Sequence, residues 1–301
     1  MKEEEEEKEE VDDVDDKNDD NDSEEGCIME SLFTCEKYQL YTWKFPISSS
    51  IVPSSSLQSI EISKEKEEEI EQKLLCSNQS STDYDLTGQI VWPASNMLCY
   101  FIVKYYQMFQ DTNVIELGAG AGLAGFFCTN FAKHVIITDG NDVVMRLLHK
   151  NHTSSEVIKG SCSVKKLLWG KKQYIHECLK DEQYTPDIII GADVILWPTY
   201  TKTFLITLKY LLLMSKDLTK AVAYISYIVR AHTTTSLLYT TAEMFGLEIN
   251  EIDVNDFLPN PIPKDLITLE KRLLVIRLKD PENVDRNWID DEDTEGRTAP
   301  C

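Results

Sequence analysis

Basic residues are scarce in this 301-residue chain. Its 30 Lys and Arg side chains stand against 52 Asp and Glu, for a net charge of −22. Nucleic-acid binding depends on phosphate contacts from Lys and Arg, so we expect no nucleic-acid partner. Long apolar runs are also missing. The longest, 204–214, is interrupted by Lys209 and falls short of the roughly 20 residues that a membrane helix needs, so we expect no membrane partner.

Paired cysteines and targeting signals are absent from the sequence as well. None of its eight cysteines has C-x-x-C spacing, and none lies beside a histidine in a zinc-like pattern. We therefore expect no metal site, and reduced, mostly buried cysteines in a cytoplasmic or also nuclear protein. The acidic N-terminus resembles neither a secretory signal nor an Arg-rich transit peptide.

Charge and composition divide the chain into four segments. Residues 1–25 hold 16 acidic side chains, three lysines and no aromatic residue, so residues 1–26 are predicted to be a disordered acidic tail. Such a tail acts either as a solubilising segment or as a segment that attracts basic protein partners by its charge. Residues 27–86 are predicted to be an N-terminal extension and 87–279 the main domain. Residues 280–301 form a second acidic tail, expected to be disordered or loosely held.

The N-terminal extension carries one clear strand pattern. Residues 40–45 place Tyr41, Trp43 and Phe45 on one face of a predicted strand. Residues 63–72 are mostly Lys and Glu, which is typical of an exposed helix or a mobile linker. These patterns predict one strand and a polar connection before the main domain.

Apolar runs then alternate with helical spacing along the main domain. Predicted strands lie at 114–117, 135–138, 163–168, 187–192 and 221–227, and predicted helices at 94–109, 121–132, 141–152, 199–214 and 233–245. Continuous apolar strands separated by helices predict a parallel sheet covered on both faces. Two further runs, 247–254 and 272–278, are joined by a Pro-rich loop without a helix. The pattern predicts an α/β, Rossmann-like, seven-stranded sheet, mostly parallel, with an antiparallel C-terminal strand.

A glycine-rich loop follows the first strand of this sheet directly. Two cofactor classes use such loops. Gly120, Gly122 and Gly125 match the G-x-G-x-x-G spacing of dinucleotide sites, although the match begins two residues after Leu117. The alternative is E-x-G-x-G over 116–120, which fits the strand end and is the form that methyltransferases of the seven-stranded type use for S-adenosylmethionine.

The second strand ends in Asp139. A carboxylate at this position accepts both hydroxyls of a ribose, whether the cofactor is NAD or S-adenosylmethionine. The competing interpretation is that Asp139 only caps the next helix. Asn141 and Asp142 are equally placed for that task, so the capping role does not require Asp139.

Five short blocks occur in one order along the chain, at 88–95, 116–120, 138–139, 168–170 and 191–194. In this order they resemble the protein-lysine methyltransferases of the seven-β-strand type, also called methyltransferase family 16. The resemblance covers 87–278. It implies that S-adenosyl-L-methionine is the cofactor, that the activity is N-methyl transfer to lysine, and that the substrate is a protein. We also expect a monomer.

The resemblance also implies roles for individual residues. Asp193 corresponds to the first residue of the family's Asp-x-x-Tyr motif, near the point of methyl transfer, and is the implied catalytic residue, with a helix N-cap as its alternative. The implied cofactor-binding residues are Trp92, Glu116, Gly118, Ala119, Gly120, Asp139, Asn141, Trp169 and Ala192. For Trp92 and Trp169, simple burial in the core is the competing interpretation.

One position departs from the family pattern. The family tyrosine three residues after Asp193 is replaced here by Leu196. The next residue, Trp197, is an alternative source of the aromatic wall of the site. This departure leaves open methyl transfer to another substrate class and an inactive methyltransferase-fold scaffold, and the glycine spacing leaves open an NAD-dependent oxidoreductase.

Overall fold

Nine strands form two sheets in the computed structural model, which describes residues 38–47, 68–77, 87–154, 156–180 and 184–288. Within these ranges the strands are β1 (Tyr38–Ile47), β2 (Glu68–Ser77), β3 (Asn113–Glu116), β4 (His134–Asp139), β5 (Cys162–Lys166), β6 (Ile188–Ala192), β7 (Val222–Ile228), β8 (Leu247–Ile252) and β9 (Lys271–Leu278). β1 and β2 form an antiparallel hairpin. The other seven strands form one sheet in the order β5-β4-β3-β6-β7-β9-β8.

The strand order reverses at β3. This strand pairs in parallel with β4 on one side and with β6 on the other. Ligands of open α/β sheets bind at the carboxyl ends of the strands at such a reversal. At the far edge, β9 lies between β7 and β8 and is antiparallel to both. The predicted seven-stranded mixed sheet is thus confirmed, with β8 rather than the last strand at the edge.

Six α-helices cover the two faces of this sheet in the described part of the chain. They are α1 (Pro93–Lys104), α2 (Leu123–Cys128), α3 (Asp142–Thr153), α4 (Lys172–Leu179), α5 (Pro198–Met214) and α6 (His232–Met244). One apolar cluster holds residues of α1 to α3 and the other holds residues of α4 to α6. In β6, Ile188 and Ile190 enter the first cluster and Ile189 the second. This alternation explains why the strand is apolar throughout.

The hairpin corrects one prediction from the sequence. β1 confirms the strand at 40–45, but 68–72 are neither helix nor linker, because they belong to β2. The rest of that predicted segment, 63–67, lies outside the described residues. Gln72 and Leu74 are completely buried on one face of β2. On the other face, Glu69 and Glu71 pair with Lys44 across the hairpin, at 3.3 and 3.0 Å. The charges that suggested an exposed helix therefore form the outer face of a strand.

Asn151 of α3 connects this hairpin to the main domain through hydrogen bonds. Its amide oxygen accepts the Leu75 N–H at 2.8 Å, and its amide nitrogen donates to the carbonyl of Leu75 at 3.0 Å. The same nitrogen donates to the carbonyl of Ala121, in the glycine loop, at 3.1 Å. The Asn151 side chain is fully buried. One amide therefore satisfies backbone groups of both the hairpin and the loop.

Asn151→Ala is expected to lower the free energy of unfolding by about 3 kcal/mol, because it leaves buried backbone groups without partners. Urea unfolding measures this change. Asn255→Ala is the matched control, since Asn255 is exposed and surface substitutions have small effects. Equal midpoints for the two variants would show that Asn151 does not hold the hairpin in place.

Part of the second acidic tail is held against the fold, contrary to expectation. The Trp288 ring lies 3.8 Å from Nζ of the buried Lys209, and 5.2 and 5.6 Å from the rings of Tyr210 and Phe245. Arg286 donates to the carbonyl of Ser215 at 3.1 Å. Aromatic packing and a cation–π contact thus fix 281–288. Residues 289–301 and the predicted tail at 1–26 lie outside the described residues.

Two further properties bear on the sequence predictions. None of the helices that the structure describes has the length and hydropathy to cross a membrane. The five described cysteines are free, and four of them are buried. Burial raises the pKa of Cys76 to about 12, which suppresses the reactive thiolate form.

Candidate functional site

A cavity of about 450 Å³ opens at the carboxyl ends of β3, β4 and β6, where the strand order reverses. Its volume is in the range of small-molecule sites. Nine of the ten site residues predicted from the sequence line it: Trp92, Gly118, Ala119, Gly120, Asp139, Asn141, Trp169, Ala192 and Asp193. These residues come from separate segments of the chain, and the sheet topology brings them to one place.

The loop after β3 requires glycine at two of its lining positions. Gly118 and Gly120 have φ of +61° and +55°, in the left-handed region that other residues rarely adopt. A Cβ on Gly118 would lie 2.9 Å from Cγ1 of Val194, and one on Gly120 would lie 3.1 Å from the carbonyl oxygen of Gly88. Since neither position has room for a side chain, the loop presents its backbone to the cavity.

Asp139 holds this loop in place. One carboxylate oxygen accepts the Gly120 N–H at 3.0 Å, and the other accepts the Asn141 N–H at 2.9 Å. Desolvation raises the pKa of Asp139, while these N–H groups act in the opposite direction. Each carboxylate oxygen has more than one lone pair. Asp139 therefore keeps capacity to accept hydrogen bonds from a ligand in the cavity.

Asn141 provides the helix cap that the sequence left open. Its side-chain oxygen accepts the N–H groups of Val143 and Val144, at 2.8 and 3.2 Å. This is an N-cap for α3, so Asp139 is not the capping residue. Asn141 also lines the cavity, and its contact with a cofactor stays a prediction.

Glu116 is the exception among the predicted site residues. It is only 1% exposed and does not line the cavity. Its carboxyl group packs against Gly125 in the first turn of α2, and its Oε2 atom has no partner among the described residues. Glu116 is thus the one predicted site residue outside the cavity lining, packed against α2, and its contact with a cofactor stays a prediction.

This position of Glu116 gives the third glycine of the dinucleotide pattern a structural explanation. A Cβ on Gly125 would collide with the same carboxyl group. Gly125 is therefore explained by packing against Glu116, and the G-x-G-x-x-G spacing does not need a dinucleotide.

Burial of Glu116 predicts a stability that depends on pH. Desolvation and the nearby Asp139 raise the pKa of Glu116 from 4.5 to about 8 in the folded protein. The folded state then holds a proton that the unfolded state releases. The resulting stabilisation is complete below pH 4.5 and is lost as the pH rises through about 8.

Glu116→Gln removes this titration. We expect the wild type to lose about 3 kcal/mol relative to the variant between about pH 5 and pH 7.5, measured by urea unfolding across that range. Glu248→Gln, at an exposed position, is the control. Parallel stability curves for wild type and Glu116→Gln would contradict the buried, protonated carboxyl group.

Asp193 lies just after β6, and both of its carboxylate oxygens accept hydrogen bonds from an arginine. Its carboxylate forms a bidentate pair with Arg230, with both N–O distances 2.6 Å. The Asp193 side chain is 6% exposed, and its backbone has φ of +59°. The N-cap position of α5 is occupied by Trp197, so the alternative role of Asp193 as a helix cap is ruled out.

Arg230 was not identified from the sequence. It follows β7, which is the neighbour of β6, and its guanidinium carbon lies 5.3 Å from the centre of the Trp92 ring. The hydrogen bonds to Asp193 raise the pKa of Arg230. The sequence signal that could have identified Arg230 was its position just after a predicted strand. The carboxyl ends of parallel neighbouring strands meet at one edge of the sheet, so Arg230 and Asp193 were both expected at that edge.

The two predicted tryptophans both lie at the cavity and are only partly buried. Trp92 donates its ring N–H to the carbonyl of Thr87 at 2.9 Å. Trp169 packs edge-on against Phe204 at 5.3 Å and borders Gly118. Burial in the core alone therefore does not describe either residue. Stacking of Trp169 on an adenine stays a prediction.

The start of α5 forms the rim of the cavity beside Asp193. Leu196, Trp197 and Tyr200 all line it, and Trp197 is 46% exposed. The position where the family pattern has tyrosine is thus apolar, with two aromatic residues close by in the chain. This arrangement fits the predicted role of Trp197 as part of an aromatic wall.

Comparisons with known proteins agree with this geometry. A family model described as lysine methyltransferase matches residues 69–239, more than half of the chain. The calmodulin-lysine N-methyltransferase of Arabidopsis thaliana is 34% identical over 137 residues, covering 44% of this chain and 43% of the relative. Protein-lysine methyltransferase METTL21E of Bos taurus is 31% identical, covering 42% of this chain and 44% of its own.

A third relative, protein N-lysine methyltransferase METTL21A of Xenopus tropicalis, is 36% identical over 123 residues, covering 38% of this chain and 53% of its own. The chain thus spans about half the length of these curated relatives. Among solved structures, an O-methyltransferase from Bacillus cereus in complex with SAH matches 62% of this chain and 82% of its own, with 11% identity and a TM-score of 0.42.

Proposed function

Because this chain belongs to the lysine methyltransferase family, we propose that it transfers a methyl group from S-adenosylmethionine to the side-chain amine of a lysine in a protein substrate. One observation carries the proposal. Nine of the ten residues predicted for this chemistry line a single cavity at the strand reversal. The cavity joins a glycine loop and Asp139 on one side to Asp193 and an aromatic rim on the other.

The residues present fit this cofactor. Gly118 and Gly120 leave no side chain between the loop backbone and the cavity, so the backbone is free to approach the methionine part. Asp139 has acceptor capacity for ribose hydroxyls. Leu167, Leu168 and Trp169 add an apolar and aromatic wall that suits an adenine.

The bound cofactor would supply a methyl group on a positively charged sulfur. The chain's own residues align the acceptor amine and exclude water. A lysine has an unperturbed pKa of about 10.4, so it must lose a proton before it attacks. In our proposal, Asp193 holds the amine by accepting one of its N–H groups, and Leu196, Trp197 and Tyr200 form the apolar surroundings. No covalent enzyme intermediate is needed.

A binding experiment tests the cofactor. Only a ligand that prefers the folded state raises the melting temperature. S-adenosylmethionine and S-adenosylhomocysteine are expected to raise it, and NAD is expected to leave it unchanged. Stabilisation by NAD alone would replace this proposal with the oxidoreductase hypothesis.

A transfer experiment tests the reaction. The full chain is incubated with a lysate and S-adenosylmethionine that carries a labelled methyl group, and the labelled protein and residue are identified by mass spectrometry. We expect the label on a lysine side chain. Label on another residue type would place the protein in another substrate class, and cofactor binding without any transfer would favour the inactive scaffold.

A further inference from the structure

The negative charge that Asp193 would offer to a substrate lysine is already balanced by a cation inside the protein. Both of its carboxylate oxygens accept N–H groups of Arg230, at 2.6 Å each. Asp193 and Trp92 line the cavity, whereas Arg230 is outside the set of described residues that line it.

Arg230 is held in this position by more than one contact. Its guanidinium group lies over the Trp92 ring at 5.3 Å, a cation–π contact, and donates to the carbonyl of Ile228 at 3.4 Å. Its side chain is 34% exposed. The bidentate pair, the aromatic ring and the carbonyl together favour a fixed orientation over a mobile surface arginine.

Other ionisable groups lie on the elements around this pair. On β7, the Tyr227 hydroxyl contacts Thr235 at 2.9 Å. At the start of α6, His232 lies 3.8 Å from Glu270, which precedes β9. Asp265 accepts a hydrogen bond from Asn96 of α1. On α5, Tyr200 lines the cavity near Asp193.

The charge of Arg230 matters because of the chemistry required of a lysine. A carboxylate alone beside the amine would stabilise the ammonium form, since an opposite charge about 4–6 Å away raises a lysine pKa by about 1–3 units. That effect opposes methyl transfer, which requires the amine lone pair. A guanidinium on the same carboxylate makes the pair neutral overall and cancels most of this effect.

We propose that Arg230 is a positioning residue that neutralises Asp193, so that the acceptor amine is bound in its uncharged form. The proton leaves the amine for solvent before binding. One remaining lone pair of Asp193 accepts an amine N–H, and the nitrogen lone pair is left directed at the methyl group. The inference rests on the proposed function, because it assigns the chemistry of the same site.

The experiment uses a cofactor analogue and therefore does not depend on the substrate protein. In this analogue a short aminoalkyl chain replaces the transferred methyl group, so that its terminal amine occupies the acceptor position. Isothermal titration in buffers of different ionisation enthalpy counts the protons released on binding. S-adenosylhomocysteine lacks the extra amine and provides the baseline.

At about pH 8, where a free lysine-like amine is protonated, the wild type is expected to release close to one proton more with the analogue than with S-adenosylhomocysteine. Arg230→Met keeps the length of the side chain but removes its charge, so the extra release should fall towards zero and the analogue should bind more tightly. Arg230→Lys restores the charge and should recover most of the release. Arg230→Gln serves as a second neutral variant if the Met variant melts early.

Each result decides the inference. Equal extra proton release from the wild type and the neutral variants would overturn it, and so would the absence of extra release from the wild type. A purely structural role for Arg230 would lower the affinity for both ligands without changing the proton count. If neither ligand bound the wild type, the proposed function would fail first and the inference with it.

Discussion

Asp139→Ala is expected to weaken binding of S-adenosylhomocysteine by about 100-fold or more, because hydrogen bonds to a charged group contribute about 1.5–3 kcal/mol each. Two losses combine in this variant. The carboxylate that would accept the ribose hydroxyls disappears. The N–H of Gly120, which Asp139 holds at 3.0 Å, also loses its partner, so the glycine loop is less ordered before the ligand arrives.

Isothermal titration measures this affinity, with Asp142→Ala as the matched control. Asp142 lies three residues further on, at the start of α3, but its side chain is 72% exposed and pairs with Lys166. The control should bind S-adenosylhomocysteine like the wild type. Unchanged affinity in Asp139→Ala would refute both the ribose role and the loop-holding role of this carboxylate.

Asp193→Asn is expected to reduce the rate of methyl transfer by about 100-fold, the scale of a lost hydrogen bond to a charged group, with cofactor affinity nearly unchanged. Asn is preferred to Ala here, because Asn tolerates the φ of +59° found at this position. The variant keeps the shape of the side chain but cannot pair with Arg230 as a carboxylate. It leaves the guanidinium charge without its counterion beside the acceptor amine.

The rate is measured as label transferred to the protein band that the wild type labels in a lysate. Asp256→Asn, at an exposed position, is the control, and melting curves with S-adenosylhomocysteine report cofactor binding separately. A variant with normal transfer at saturating cofactor but weakened cofactor binding would show that Asp193 belongs to the cofactor side of the cavity and not to the acceptor side.

The parts of the fold that local patterns encode were predictable. Ile188 to Ile190 form a continuous apolar run because β6 is covered on both faces, and such runs between helical segments predict a parallel sheet. The loop at Gly118 and Gly120 was predictable too, since close-packed turns with positive φ require glycine.

The parts that depend on distant contacts were not predictable from the sequence. Asp193 and Arg230 are 37 positions apart, and no local pattern joins them. β2 was misassigned because Glu69 and Glu71 look solvated until Lys44 is placed opposite them. Trp288 lies in an acidic segment, and its partners Lys209, Tyr210 and Phe245 are all earlier in the chain.

The hydrogen bonds of Asn151 have a consequence for regulation. Because one amide holds both Leu75 of the hairpin and Ala121 of the glycine loop, the order of the two segments is energetically coupled. Thermodynamic linkage is reciprocal: a ligand that orders the loop stabilises the docked hairpin by the same free energy that a docked hairpin returns to ligand binding. A protein that bound the docked hairpin more tightly than the undocked one would therefore raise cofactor affinity without contacting the cavity.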